Sequence, residues 1–161
     1  MAEFFKEQRK FLNNLGRKGV RDTQKALIKN DKVASGGTYN SVNFKTRFTL
    51  NRSSATIFAN EAFKFIDSGR KAGSKQPPPK VIEDWIVEIG LRFTQKNGKP
   101  MPLKTMAFII GRAIARDGIK PTGIIDKVFN KKSFQKFVIK GITKAGGDDI
   151  KTRTVTLAKQ V

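Results

Sequence analysis

The stretch VNFKTRFTL, Val42 to Leu50, sets Val42, Phe44, Phe48 and Leu50 at every second position, alternating with Asn43, Lys45, Arg47 and Thr49. Successive side chains of an extended chain point to opposite faces. A period of two therefore predicts a strand with one wet and one apolar face, on which only Thr46 is polar. NRSS follows as a turn, and ATIFANEAFKFIDSG, Ala55 to Gly69, predicts a second strand pairing back, then a short segment carrying Phe63, Phe65 and Ile66 to the core. The rest of the chain is dominated by helical periods. The hairpin thus sets the class as α+β: a small antiparallel sheet packed against several amphipathic α-helices.

Upstream, Phe5, Leu12, Leu15, Val20, Ala26 and Leu27 fall on one side at about 100° per residue, which predicts a long N-terminal helix over 3–30. Gly16 and Gly19 lie on that apolar side. Each weakens a helix by about 1 kcal/mol against Ala, and their position points to close packing against another backbone. The opposite side carries Lys10, Arg17, Arg21 and Lys25, either as a phosphate-binding face or as a solvated one. ASGGTYNS, Ala34 to Ser41, is a turn-rich linker.

Downstream lies GRKAGSKQPPPKVIEDWI, Gly69 to Ile86, where a glycine-rich basic loop meets three prolines. Proline has no N–H to donate and fits the first turn of a helix, so a helix begins at Pro77 to Pro79. Val81, Ile82, Trp85, Ile86 and Ile89 recur at helical spacing, Glu83 and Asp84 suit its positive end, and Gly90 stops it. Trp85 is expected in the core. LKTMAFIIGRAIARDG, Leu103 to Gly118, predicts a helix so apolar that it should lie at the centre, with Gly111 and Ala115 allowing close approach. Beyond Pro121 a short helix carries Ile124, Ile125, Val128 and Phe129; a break at NKKS, with Ser133 as N-cap, precedes another.

In that last helix Phe134, Phe137, Val138, Gly141 and Ile142 define the apolar side, while Lys132, Lys136, Lys140 and Lys144 recur every four residues opposite it. Such a stripe tracks a phosphate backbone or merely solvates the helix. Gly146 and Gly147 are expected to end the helix. The β-branched DIKTRTVTLAKQV, Asp149 to Val161, predicts a final strand that joins its own sheet or a neighbour's edge. The whole reads as a single domain over 1–161: helix 3–30, sheet and helical core 40–145, strand 149–161.

Lys and Arg number 33 against 13 Asp and Glu, a formal net charge of +20, which attracts polyanions. The chain contains neither Cys nor His, which removes disulfides, thiol nucleophiles, the usual zinc ligands and imidazole acid–base chemistry. The carboxylates are scattered, and SGG and GRKAG lack the spacing of a nucleotide-binding loop. No catalytic residue, metal or cofactor is therefore expected. The loop DSGRKAGSKQ does offer Arg70, Lys71 and Lys75 to a nucleic-acid backbone or an acidic partner. No sequence-reading DNA motif is present, and thirteen Phe against one Trp and one Tyr point to aromatics that fill the core. Nothing approaches the roughly 20 apolar residues of a membrane span, and the N-terminus lacks a signal-peptide core, so a cytoplasmic protein is expected.

The order of these motifs resembles the neck family of tailed bacteriophages, the head-tail joining or tail-completion proteins. The similarity runs from about Phe63 to Ile125. It is carried by Phe63, Phe65, Asp67, Gly69, Arg70, Pro77, Pro78, Ile82, Trp85, Gly90, Ala107, Phe108, Ile110, Arg112, Ile114, Gly118 and Pro121. The resemblance implies an α+β subunit without catalytic residues that forms a homo-oligomeric ring between portal or adaptor and tail, around the DNA channel. It implies assembly in the host cytoplasm and a place in the virion. The strongly basic balance exceeds what the family leads one to expect. A free, nonspecific nucleic-acid-binding protein is the alternative from another class.

Overall fold

A computed structural model describes the backbone of residues 5–48 and 53–158, and side chains as far as Asp148. The fold is α+β, with the elements α1 (Lys6–Lys29), α2 (Gly37–Ser41), β1 (Asn43–Phe48), β2 (Ser53–Phe58), α3 (Glu61–Ser68), α4 (Pro79–Ile89), α5 (Leu103–Asp117), α6 (Ile124–Phe129) and α7 (Lys132–Ala158). The chain gathers into two compact units of interleaved segments. One gathers Met1–Leu27, Ser41–Ala59 and Ile124–Val161; the other gathers Ile28–Asn40 and Asn60–Gly123.

The first unit is built on the hairpin. β1 and β2 pair antiparallel from Asn43 opposite Phe58 to Phe48 opposite Ser53. Phe44 and Phe48 are half-buried while Lys45 and Arg47 are exposed, which is the predicted alternation. Leu50 lies outside the described residues. Thr46, the polar residue on the apolar side, donates from its hydroxyl to Asn13 Oδ1 at 3.1 Å, so the group has a partner on α1.

Gly16 and Gly19 explain how α1 receives the hairpin. A Cβ at Gly16 would overlap the Phe44 ring, and one at Gly19 would overlap Ile57 Cδ1. The expected close approach is therefore to side chains of the sheet, not to another backbone. Gly141 of α7 gives way in the same manner to the ring of Phe11. Phenylalanines continue the packing: Phe11 meets Phe137 with ring centroids 5.8 Å apart, and Phe129 meets Phe134 edge-on at 5.1 Å. Each such pair contributes about 0.5–1.5 kcal/mol beyond the burial of its surface. Val42, Ile124, Val128 and Ala145 are also buried in this unit.

α7 corrects the sequence reading. The break before it is where NKKS predicts, with Lys131 O accepting from the amides of Phe134 and Gln135 and Ser133 already inside the first turn. Its end is not at Gly146–Gly147, and no final strand forms over 149–158, where the backbone is helical to Ala158; residues 159–161 lie outside the described range. The reason is cooperativity. A helix already nucleated by the packed turns from Phe134 to Ala145 extends without a new nucleation cost, and two glycines weaken it by about 1 kcal/mol each without forcing a stop.

The second unit is a helical pair with appended loops. Ile82, Ile86, Met106 and Ala107 form its core, where α4 packs on α5 with Leu91, Met101, Leu103, Ile110 and Ile114 around them. α4 starts at Pro79 after a buried Pro77, and Gly90 ends it in the left-handed conformation, its N–H donating to Ile86 O and Val87 O. The linker Ala34 to Ser41 contains the short α2, a helical turn that the glycines did not announce. Phe63 to Ile66 belong to α3.

Two burial expectations give way here. α5 is not central: it buries Met106, Ala107 and Gly111 but leaves Phe108 53% and Ile109 45% exposed. Trp85 is 38% exposed. Both follow from geometry, because α4 and α5 are each other's main partner, and a helix with one partner can cover only one side of an apolar surface that extends further round.

Candidate functional site

Within the second unit the basic loop is stitched at its root. Arg70 N–H donates to Ile119 O and Ile119 N–H returns the bond to Arg70 O, both at 2.8 Å. A glycine precedes each partner. Gly69 has φ 73° and ψ −170°, Gly118 has φ 74° and ψ −168°, a region that only glycine enters without strain. A Cβ on Gly69 would overlap Ile119 O, and one on Gly118 would overlap Arg70 O. Thr122 Oγ1 adds a bond to Ile66 O at 2.7 Å, and Gly73 N–H reaches Ala115 O at 2.7 Å.

The stitch changes the role of the loop's cations. Arg70 stacks its guanidinium over Phe65, 5.5 Å from the ring centroid, and its Nη2 donates to Lys75 O, so the side chain braces the loop from inside. Lys71 and Lys75 are exposed. Gln76 Nε2 donates to Phe108 O at 3.4 Å, after which the buried Pro77 leads into α4. Of the residues that carry the family resemblance, Phe65, Asp67, Gly69, Arg70, Gly118 and Pro121 converge on this stitch. Pro78 caps α4 and Trp85 lies two turns along it.

The same unit holds a groove of about 610 Å³ with Phe65, Ile66, Val81, Trp85, Ile110 and Ile119 among its apolar walls. Asp31, Asp84, Glu88 and, among the described residues, a single ammonium, Lys32, line it too. For a chain so rich in cations this is an unusually acidic neighbourhood. Asp84 is held by Lys80 at 2.7 Å, and the hydrogen bond and charge of Asp84 raise the lysine's pKa. Sequence reasoning missed this groove because it treated Trp85 as core; the acids Asp84 and Glu88, flanking Trp85 on α4, were the available signal.

In the first unit, Lys132, Lys136, Lys140 and Lys144 are all exposed along α7, as the four-residue repeat predicts. Beside Lys136 and Lys140, Ile139 is 66% exposed, and Ile142, on another side of the helix, is 57% exposed. Arg17 and Arg21 border a cleft of about 450 Å³ with Asn14, Lys18 and Phe137. Lys18, which the sequence reading passed over, is bound by Asp22 at 2.7 Å and rides over the rings of Phe134 and Phe137. Arg17 and Arg21 are the exposed cations of that cleft.

The perturbed titrating groups are surface ion pairs. Arg116 donates to Asp117 through Nε and Nη2, at 2.7 and 2.8 Å; this hydrogen bonding lowers the pKa of the carboxyl and raises that of the guanidinium. Among the described residues no group of three or more acidic, His or Cys side chains could hold a metal ion, and no helix is long and apolar enough to cross a membrane. No protein-family model, curated protein or solved structure matches the chain.

Proposed function

We propose that the chain is a noncatalytic structural subunit of a tailed-bacteriophage particle, forming a ring at the head-tail connector around the DNA channel. One observation carries the reading. Six residues of the neck-like motif, from segments some fifty positions apart in sequence, gather at the reciprocal Arg70–Ile119 pair, where Gly69 and Gly118 are both required by conformation. A pattern of Gly, Arg and Pro that closes on itself in space is a structural signature rather than a catalytic one. It holds Lys71 and Lys75 outward on a pre-ordered loop, so docking this loop costs little conformational entropy.

The exposed lysines of α7 and the loop suit a protein that works beside DNA, through contacts to its backbone and without reading its sequence. Copies of so basic a chain repel one another at long range, so ring formation draws on a template, either the portal and tail proteins or the packaged genome. The test is mass spectrometry of particles purified from cells that carry the encoding genome. A fixed number of copies per particle is the expected result. Recovery of the chain only as a free nucleic-acid binder, absent from particles, overturns the proposal.

A further inference from the structure

Two surfaces are left open by the packing, and their chemistry is complementary. The first is the groove of the second unit, where α4 presents Val81, Asp84, Trp85 and Glu88. The second is the outer side of α7, where Lys136 and Lys140 stand beside the exposed Ile139. On each helix the paired charges are four residues apart, a rise of about 6 Å, so two carboxylates face two ammoniums at matching spacing. Apolar groups lie next to the charges on both sides.

We propose that the groove of one copy receives the α7 helix of a second copy, with Ile139 entering beside Trp85 while Lys136 and Lys140 meet Asp84 and Glu88. The occupant is argued from charge: with 33 basic and 13 acidic residues in the chain, a groove carrying three carboxylates against one ammonium selects a cationic segment. α7 supplies cations with the uncovered Ile139 next to them. Lys80 already compensates Asp84, which makes Glu88 and Asp31 the stronger attractants. The contact joins two different surfaces, so each copy both offers and receives a helix. Such head-to-tail contacts close into rings when the rotation closes and otherwise grow into filaments. The inference deepens the ring proposal and rests on it for the statement that the rotation closes. It also supplies the short-range attraction that a +20 subunit needs against its own repulsion.

Charge reversal tests it with the full chain. Asp84→Lys with Glu88→Lys makes the groove basic; Lys136→Glu with Lys140→Glu makes the helix acidic. Sedimentation velocity should show each variant alone associating at least tenfold more weakly than the parent, and an equimolar mixture of the two recovering parental assembly, since each groove then meets a helix of opposite sign. Circular dichroism checks that both variants keep their helices. Should either lose them, Ile139→Ser, at an exposed position, takes its place and should weaken assembly tenfold. A parent that stays monomeric at all concentrations, variants that assemble like the parent, or a mixture that fails to recover overturns the contact. The two readings separate cleanly. Rings indifferent to both reversals remove this contact and keep the ring, whereas recovery in the mixture by a chain absent from particles keeps the contact and removes the virion role.

Discussion

At Gly69 and Gly118 the backbone adopts φ near 73° with ψ close to −170°, and each glycine's missing side chain makes room for the other strand's carbonyl. Alanine at either position meets both conformational strain, about 1–3 kcal/mol, and an overlap with backbone that cannot rotate away. Gly118→Ala and Gly69→Ala are each expected to lower stability by about 3 kcal/mol or more, measured by urea unfolding. The opposite outcome is expected at Gly146 and Gly147, which sit inside α7 with nothing within 4 Å of the place a methyl group would take. There alanine adds helix propensity alone, worth about 1 kcal/mol, and should raise Tm by about 2–4 °C. The sequence shows fourteen identical letters G; a helix stop such as Gly90 is legible locally, but the neighbouring atoms that decide whether a methyl fits are not.

Among the elements, those whose period is set by a single buried face are legible from sequence. β1 alternates as written, α1 keeps its apolar row, and α4 starts at its prolines and stops at Gly90. Legibility fails where an element has fewer partners than its composition allows. α5 and Trp85 are apolar enough for a centre, yet the α4–α5 pairing leaves part of that surface open. It fails again at the end of α7, where β-branched letters predict a strand and an established helix continues through them. Of the candidate contact residues, the α7 lysines are exposed as the repeat requires, whereas Arg70 is turned inward by Phe65 and Lys75, partners that only the folded loop supplies. Exposed lysines are replaceable without loss of packing. Changing Lys136, Lys140 and Lys144 together to Gln should leave Tm within about 1 °C and make the salt dependence of DNA binding shallower, by about 2–3 in log K against log salt. An unchanged slope would remove the stripe from DNA contact.

For the whole molecule, the absence of His and Cys means that no side-chain type with an ordinary pKa near neutrality is present. The perturbed groups move further from it. Asp117, hydrogen-bonded by Arg116, has its pKa lowered; it favours the fold above the usual carboxylate range and loses that contribution only as acid takes the pH below it. Lys80, raised by Asp84, favours the fold at and below the usual lysine range and loses that contribution only in strong base. Stability and the salt slope of polyanion binding should therefore be flat between about pH 6 and pH 9, in contrast to a histidine-dependent binder. Unfolding curves and salt titrations at both ends of that range check it.

The interleaving of the two units also sets an order of events during synthesis. Residues up to Gly123 complete the second unit as they leave the ribosome, but Phe11 of α1 must wait for Phe137 to be made. At roughly 5–20 residues per second, the span from Ala59 to Phe137 keeps α1 without its last partner for roughly 4–16 s. The helix translated first, met early by the hairpin on one side, thus acquires its α7 partner only after most of the chain has been made.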